Sequence, residues 1–167
     1  MAFQTQINTQ PAPGLPGDFA SLNPTATFPA GKGALVAAAG GCTIGAFGWV
    51  QTDGRSVANA PASGTTTAPD GFVHRDLSGQ ISSLFDESSL TIPQGFPVSL
   101  FTAGDFWATS TTAATPGQAV FAATTDGSLS TAAAGTTVSG AVQTRFYVAS
   151  AGAAGDLVKI SSWSHAV

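Results

Sequence analysis

Gln143-Thr-Arg-Phe-Tyr-Val-Ala-Ser-Ala-Gly-Ala-Ala-Gly-Asp-Leu-Val-Lys-Ile-Ser-Ser-Trp163 is the stretch that decides the fold. Phe146 and Val148 face one way with Arg145 and Tyr147 opposite, and Val158 and Ile160 oppose Lys159 and Ser161. Alternation of this kind is the period of a strand with one buried face. Segment 150–155 between the runs is turn text, so the pair reads as a β-hairpin.

Working outward, the same grammar recurs. Residues 118–124 turn at Asp126-Gly127 into 128–131, and Leu90-Thr-Ile92 turns through Pro93-Gln94-Gly95 into 96–102. Ala103-Gly104-Asp105 then leads into Phe106-Trp-Ala-Thr109. Further upstream, Phe47 and Trp49 share one strand face while Ile44, Ala46 and Val50 share the other. A turn at Thr52-Asp53-Gly54-Arg55 follows. Residues 58–70 are low in complexity and read as an exposed, mobile loop. Residues 72–77 and 80–85 are two more short runs; the second, with Ile81, Leu84 and Phe85, reads as a strand in preference to one helical turn. No segment has the length and period of an amphipathic helix. The fold class is all-β, a compact sandwich or barrel of short antiparallel strands.

The N-terminus is different. Pro11, Pro13, Pro16, Pro24 and Pro29, with Gly14, Gly17, Gly31 and Gly33 among them, forbid a helix or a central strand. Residues 1–33 are therefore an extended arm, and 34–167 a single β domain. The arm carries Phe3, Ile7, Leu15, Phe19, Leu22 and Phe28 at intervals, more large apolar groups than a disordered tail keeps. These six are the candidate partner-binding residues. The arm either folds over its own domain or lies along a neighbouring subunit, and both can hold for different parts.

Composition narrows the function. Of the 167 residues, 43% are hydrophobic and only 8% charged, with Ala, Thr, Ser and Gly where Lys and Glu usually stand. Ordinary domains carry roughly a quarter charged residues. Such a surface suits coverage by partners or a Ser/Thr-coated extracellular or virion protein. Net charge is −4, and Lys32, Arg55, Arg75, Arg145 and Lys159 are scattered, which argues against nucleic acid and anionic membranes as partners. The start Met-Ala-Phe-Gln-Thr-Gln lacks the features of a secretion signal, and no apolar run has transmembrane length. Synthesis in a cytoplasm is expected.

The search for chemistry returns little. Asp18, Asp53, Asp70, Asp105, Asp126 and Asp156 each adjoin a glycine, the signature of tight turns. Asp86 and Glu87 are adjacent, so in a strand they point apart and cannot flank one bond as a glycosidase pair. His165 lies close to the C-terminus, and His74 has only Asp76 near it; no convergent metal set exists. There is no nucleophile elbow, phosphate loop or calcium loop. Cys42 alone cannot form an internal disulfide and reads as a small buried hydrophobe. No catalytic residue, cofactor or metal is assigned. Trp49, Trp107 or Trp163, if exposed, could stack on sugars, so a carbohydrate- or receptor-binding module of a tail or surface appendage is the alternative.

Several motifs follow one another in order: Gly17-Asp18-Phe19-Ala20-Ser21-x-Asn23-Pro24, Gly45-x-Phe47-x-Trp49-Val50, Ile92-Pro-x-Gly95-Phe-Pro-Val98, Gly104-Asp105-Phe106-Trp107, Pro116-Gly117-Gln118 before Phe121-Ala122, and Arg145-Phe146-Tyr147-Val148. Together they resemble the capsid cement, or head decoration, proteins of tailed bacteriophages over almost the whole chain. The resemblance implies a β-rich structural virion protein on the outer surface of an icosahedral head. There it would clamp neighbouring major capsid subunits against internal DNA pressure, as a homotrimer or homodimer.

Overall fold

The computed structural model describes residues 14–31, 33–63, 66–76 and 90–163. Among the described residues there are thirteen short strands and no helix. They run β1 (Ala26–Thr27), β2 (Val36–Ala37), β3 (Cys42–Thr43), β4 (Phe47–Val50), β5 (Ser56–Ala58), β6 (Gly71–Val73), β7 (Thr91–Ile92), β8 (Leu100–Ala103), β9 (Asp105–Thr109), β10 (Ala119–Ala123), β11 (Leu129–Ala132), β12 (Ala141–Val148) and β13 (Leu157–Ser161). A six-stranded sheet has the order β1-β8-β6-β4-β5-β2, a five-stranded sheet the order β11-β10-β12-β13-β9, and β3 pairs with β7. All pairings are antiparallel except β2 with β5.

The two large sheets meet through phenylalanines. Phe47 and Phe72 on one side interleave with Phe106 and Phe146 on the other. Ring centroids lie 5.0 Å apart for Phe72–Phe106 and 5.7 Å for Phe47–Phe146. Trp49, Val120, Leu129, Val148, Val158 and Ile160 complete this cluster. Each fully buried side chain of this size stabilises the fold by about 1.5–3 kcal/mol, with more from tilted ring contacts. The opposite face of the six-stranded sheet is also covered. There Leu35, Cys42, Ile44, Val57, Val73, Ile92, Val98 and Leu100 form a second cluster. The two faces expected for residues 44–50 are thus both buried, in separate cores, with Phe47 and Trp49 in one and Ile44 and Val50 against the other.

The five-stranded sheet curls strongly. Ser110, just past β9, bridges Leu129 of β11, and the Thr111 N–H donates to the Leu129 carbonyl. Thr112 and Thr131 exchange hydroxyl bonds beside them. That edge is therefore occupied, as an exposed edge would otherwise invite pairing.

The hairpins read at 118–131 and 143–163 form as β10–β11 and β12–β13. Two other hairpin readings need correction. β7 leaves its turn without pairing with β8; it joins β3, while β8 pairs with β6 and β1. β8 and β9 are likewise not partners. At Gly104, with φ of 145°, the chain crosses from the six-stranded sheet to the five-stranded one. The described parts of segment 58–70, residues 58–63 and 66–70, are more anchored than their composition suggests. The Asn59 side chain bonds Thr43 and Phe47, the Thr67 carbonyl accepts the Trp49 indole N–H, and the Asp70 carboxylate accepts the Val50 N–H. The run at 80–85, with Asp86 and Glu87, lies outside the described residues.

Gly127 ties the sheets together at the β10–β11 turn, its carbonyl accepting the Phe47 N–H. It has φ of 69°, and a Cβ there would sit 2.2 Å from the Phe47 carbonyl oxygen. Gly127→Ala should cost about 2 kcal/mol or more, lowering Tm by roughly 4–8 °C. Gly40→Ala, with open space around it, should leave Tm nearly unchanged in the same calorimetric comparison.

Candidate functional site

Residues 14–31 form a strap across one end of the molecule, bonded to both large sheets. A tight turn starts it: the Leu15 N–H donates to the Asp18 carboxylate and the Asp18 N–H to the Leu15 carbonyl. Gly17 and Ala20 donate to the carbonyls of Trp107 and Asp105, and Trp107 returns a bond to Asp18, so the strap lines the β9 edge. It then crosses to the other sheet, where β1 pairs with β8 and the Phe28 N–H reaches the Leu100 carbonyl.

Side chains clamp the crossing. His74 Nδ1 lies 2.7 Å from the Gly17 carbonyl, a geometry that calls for the proton on Nδ1. The Phe19 ring lies over the same imidazole at 4.1 Å and touches Phe101 and Phe106. Arg75 pairs with Asp18 at 3.3 Å. Further along, Ser21 Oγ and Asn23 Nδ2 both donate to Asp105 Oδ2. The Trp163 indole N–H donates to the Pro24 carbonyl.

The candidate partner-binding residues separate into groups. Phe28 packs against the second core cluster, and Phe19, although part-exposed, spends its ring on His74 and the core phenylalanines. Leu15 is about half exposed and Leu22 fully exposed. Phe3 and Ile7 lie outside the described residues. Three further large apolar side chains are exposed: Leu90, Phe96 and Trp163. Sequence reading placed the first two at the ends of a hairpin that does not form, so their exposure had no local signal.

The tryptophans differ sharply. Trp49 is buried. Trp107 carries the Lys159 ammonium 5.0 Å from its ring centroid, and the Gly14 backbone lies against its indole edge. Trp163 keeps 53% of its surface exposed.

Among the described residues Asp18, Asp53, Asp126 and Asp156 serve turns, whereas Asp70 departs from the turn reading and accepts the Val50 N–H of β4. Asp53 accepts the backbone N–H groups of Arg55 and Ser56 and the Ser56 hydroxyl, which lower its pKa to about 2. Asp126 and Asp156 hold the turns at Ser128 and Ala153. Asp105 departs from the turn reading, being the first residue of β9 and the anchor of the strap. Its partners Ser21 and Asn23 are more than eighty positions away, beyond the reach of local motifs. Cys42 is buried, which pushes its thiol up to about 12. No group of three or more metal-ligating side chains gathers among the described residues.

The described residues thus form a β sandwich bound by a strap that keeps Leu15 and Leu22 exposed. Comparison with known proteins gives that fold its context. The profile of the XM1 gp53 minor capsid protein family matches residues 3–162. The chain belongs to that family. Among solved structures, a chain from the capsid of the Myoviridae phage XM1 shares the fold with a TM-score of 0.60 and 18% identity, over 99% of this chain and 100% of that one. No curated protein matches the chain. This minor capsid protein is thus a structural component of a phage virion.

The strap of the minor capsid protein should loosen in acid. Burial raises the Asp105 carboxyl, but bonds from Ser161, Ser21 and Asn23 and the charge of Lys159 outweigh it and leave the pKa below the ordinary value. A depressed carboxyl contributes stability above its unfolded pKa of about 4, and that contribution disappears as pH falls through the folded value. The protection of the Ala20 amide, relative to its unfolded exchange rate at the same pH, should be high at pH about 5 and fall as the pH drops below about 4. In Asp105→Asn that protection should already be low at neutral pH, with a flatter acid response.

Proposed function

We propose that this minor capsid protein lies on the outer surface of the phage head and cements neighbouring major capsid subunits. The observation that carries the reading is Leu22, fully exposed on a strap with no charged side chain from Phe19 to Gly31. On an anchored segment that carries no charge, such a leucine can be buried against a neighbouring subunit at little desolvation cost. Leu15 stands at the other end of the described strap, and Phe3 and Ile7 are assigned to the same contact row. The strap's backbone is held by both sheets, so little ordering cost remains when the row docks.

Cementing needs no reaction. A protein bound only to the closed seam stabilises it by mass action, opposing the pressure of packaged DNA. A homotrimer or homodimer, gripping several shell subunits at once, makes each later contact effectively intramolecular. The carboxylates bonded within turns and strap fit a non-enzymatic role. Net negative charge keeps the protein from the enclosed nucleic acid.

Leu22→Asp should reduce occupancy on purified heads about tenfold or more, since it forfeits most of a leucine's burial and puts a charge in the contact. The melting temperature of the isolated protein should hardly change, because the side chain touches solvent there. Heads carrying the variant should release DNA at lower temperature than wild type. Full occupancy with normal heat resistance would overturn the reading.

A further inference from the structure

Between the strap and the outer face of the five-stranded sheet lies a cavity of about 250 Å³, lined by Ser21, Asn23, Ala149 and Ala20 with Asp105, Lys159 and Ser161. Its chemistry is distinctive on a chain so poor in charge. Ser21 and Asn23 both donate to Asp105 Oδ2, and Lys159 shares the lining with the opposite charge. The two cancel, so the cavity favours neither a phosphate nor a polycation. What it offers is a wall more apolar than polar, with Ala20, Ala149 and Ile160 in it, edged by hydroxyl, amide, carboxylate and ammonium groups.

An aromatic ring stands beside it. The Trp163 backbone N–H donates to Ser161 Oγ, on the cavity wall, and its indole N–H to the Pro24 carbonyl, next to Asn23. Trp163 is not itself in the lining, but these two bonds tie it to Ser161, which is, and to the neighbour of Asn23, which is, and it keeps about half its surface in water. An indole fixed by its N–H but left open on its apolar body is a stacking platform.

We propose that this cavity binds one neutral pyranose unit, with Trp163 against the apolar face of the sugar and Lys159 and Asn23 on its hydroxyls. The alternation of C–H face and hydroxyl rim on a pyranose matches a ring beside a charge-balanced hollow edged by polar groups. The volume is smaller than a drug-sized pocket and suits a single ring. Weak binding is sufficient, because many copies on one particle would act together on a polysaccharide. The inference is independent of cementing: it concerns the isolated chain and a different set of residues from Leu15 and Leu22.

The test uses the full chain, isotope-labelled, titrated with methyl glycosides of glucose, galactose, mannose and N-acetylglucosamine to about 20 mM. At least one glycoside should give saturable shifts of Ser21, Asn23, Asp105 and the Trp163 indole, with Kd on the order of 1–10 mM. Lys159→Met and Trp163→Phe, checked for unchanged melting, should each weaken that binding about threefold or more. A trisaccharide of the responding sugar separates the sources: tighter binding than the monosaccharide indicates a polysaccharide, equal binding a free sugar. Absence of saturable shifts with all four glycosides, shifts remote from the cavity, or unaltered affinity in both variants would overturn the proposal.

Discussion

The interleaving of Phe47 and Phe72 with Phe106 and Phe146 is the contact on which the rest of the molecule depends. The strands here are two to eight residues long, too short to hold a sheet by backbone bonds alone. Their stability comes from what they bury. Because the rings arise from both sheets, neither sheet is complete without the other. The second cluster, on the far face of the six-stranded sheet, makes β4 and β6 interior on both sides. Near-continuous apolar text at Ala46-Phe-Gly-Trp-Val50 is the sequence counterpart of that double burial.

Resting on this core, the strap shows how few polar groups can fix a long extended segment. Asp105, Asp18, Arg75 and His74 supply its side-chain ties, and backbone bonds to β9 and β8 supply the rest. Each tie joins residues far apart in sequence, so the end of the sandwich is closed by long-range contacts. Phe19 links the strap to the phenylalanine core through His74, Phe101 and Phe106. Strap and core are therefore parts of one packed unit.

With only 8% of its residues charged, the chain leaves a surface made mainly of small polar and apolar groups. Desolvating such a surface is inexpensive compared with burying lysines and glutamates. This is the physical link between composition and membership of a capsid family: a protein that spends its existence against neighbours has little use for a charged coat. The exceptions are informative. Asp105 and Lys159 both stand where the strap meets the sheet, and the indole of Trp163 bonds the strap at Pro24.

The sequence by itself determined the fold class, because alternation at 145–148 and 158–160 and the turn glycines are local signals with local causes. It also determined that residues 14–31 hold no helix, through Pro16, Pro24 and Pro29, and the turn role of Asp53, Asp126 and Asp156 through adjacent glycines. Only the tertiary structure decided which strands pair. Pro93-Gln94-Gly95 makes a turn, yet β7 goes to β3 and β8 to β6, because pairing follows burial of Ile92 and Leu100 rather than proximity along the chain. It alone separated Leu22 from Phe28, similar in sequence setting and opposite in exposure, and made Asp105 an anchor. Those outcomes depend on groups tens of residues apart meeting in space, and no periodicity records such meetings.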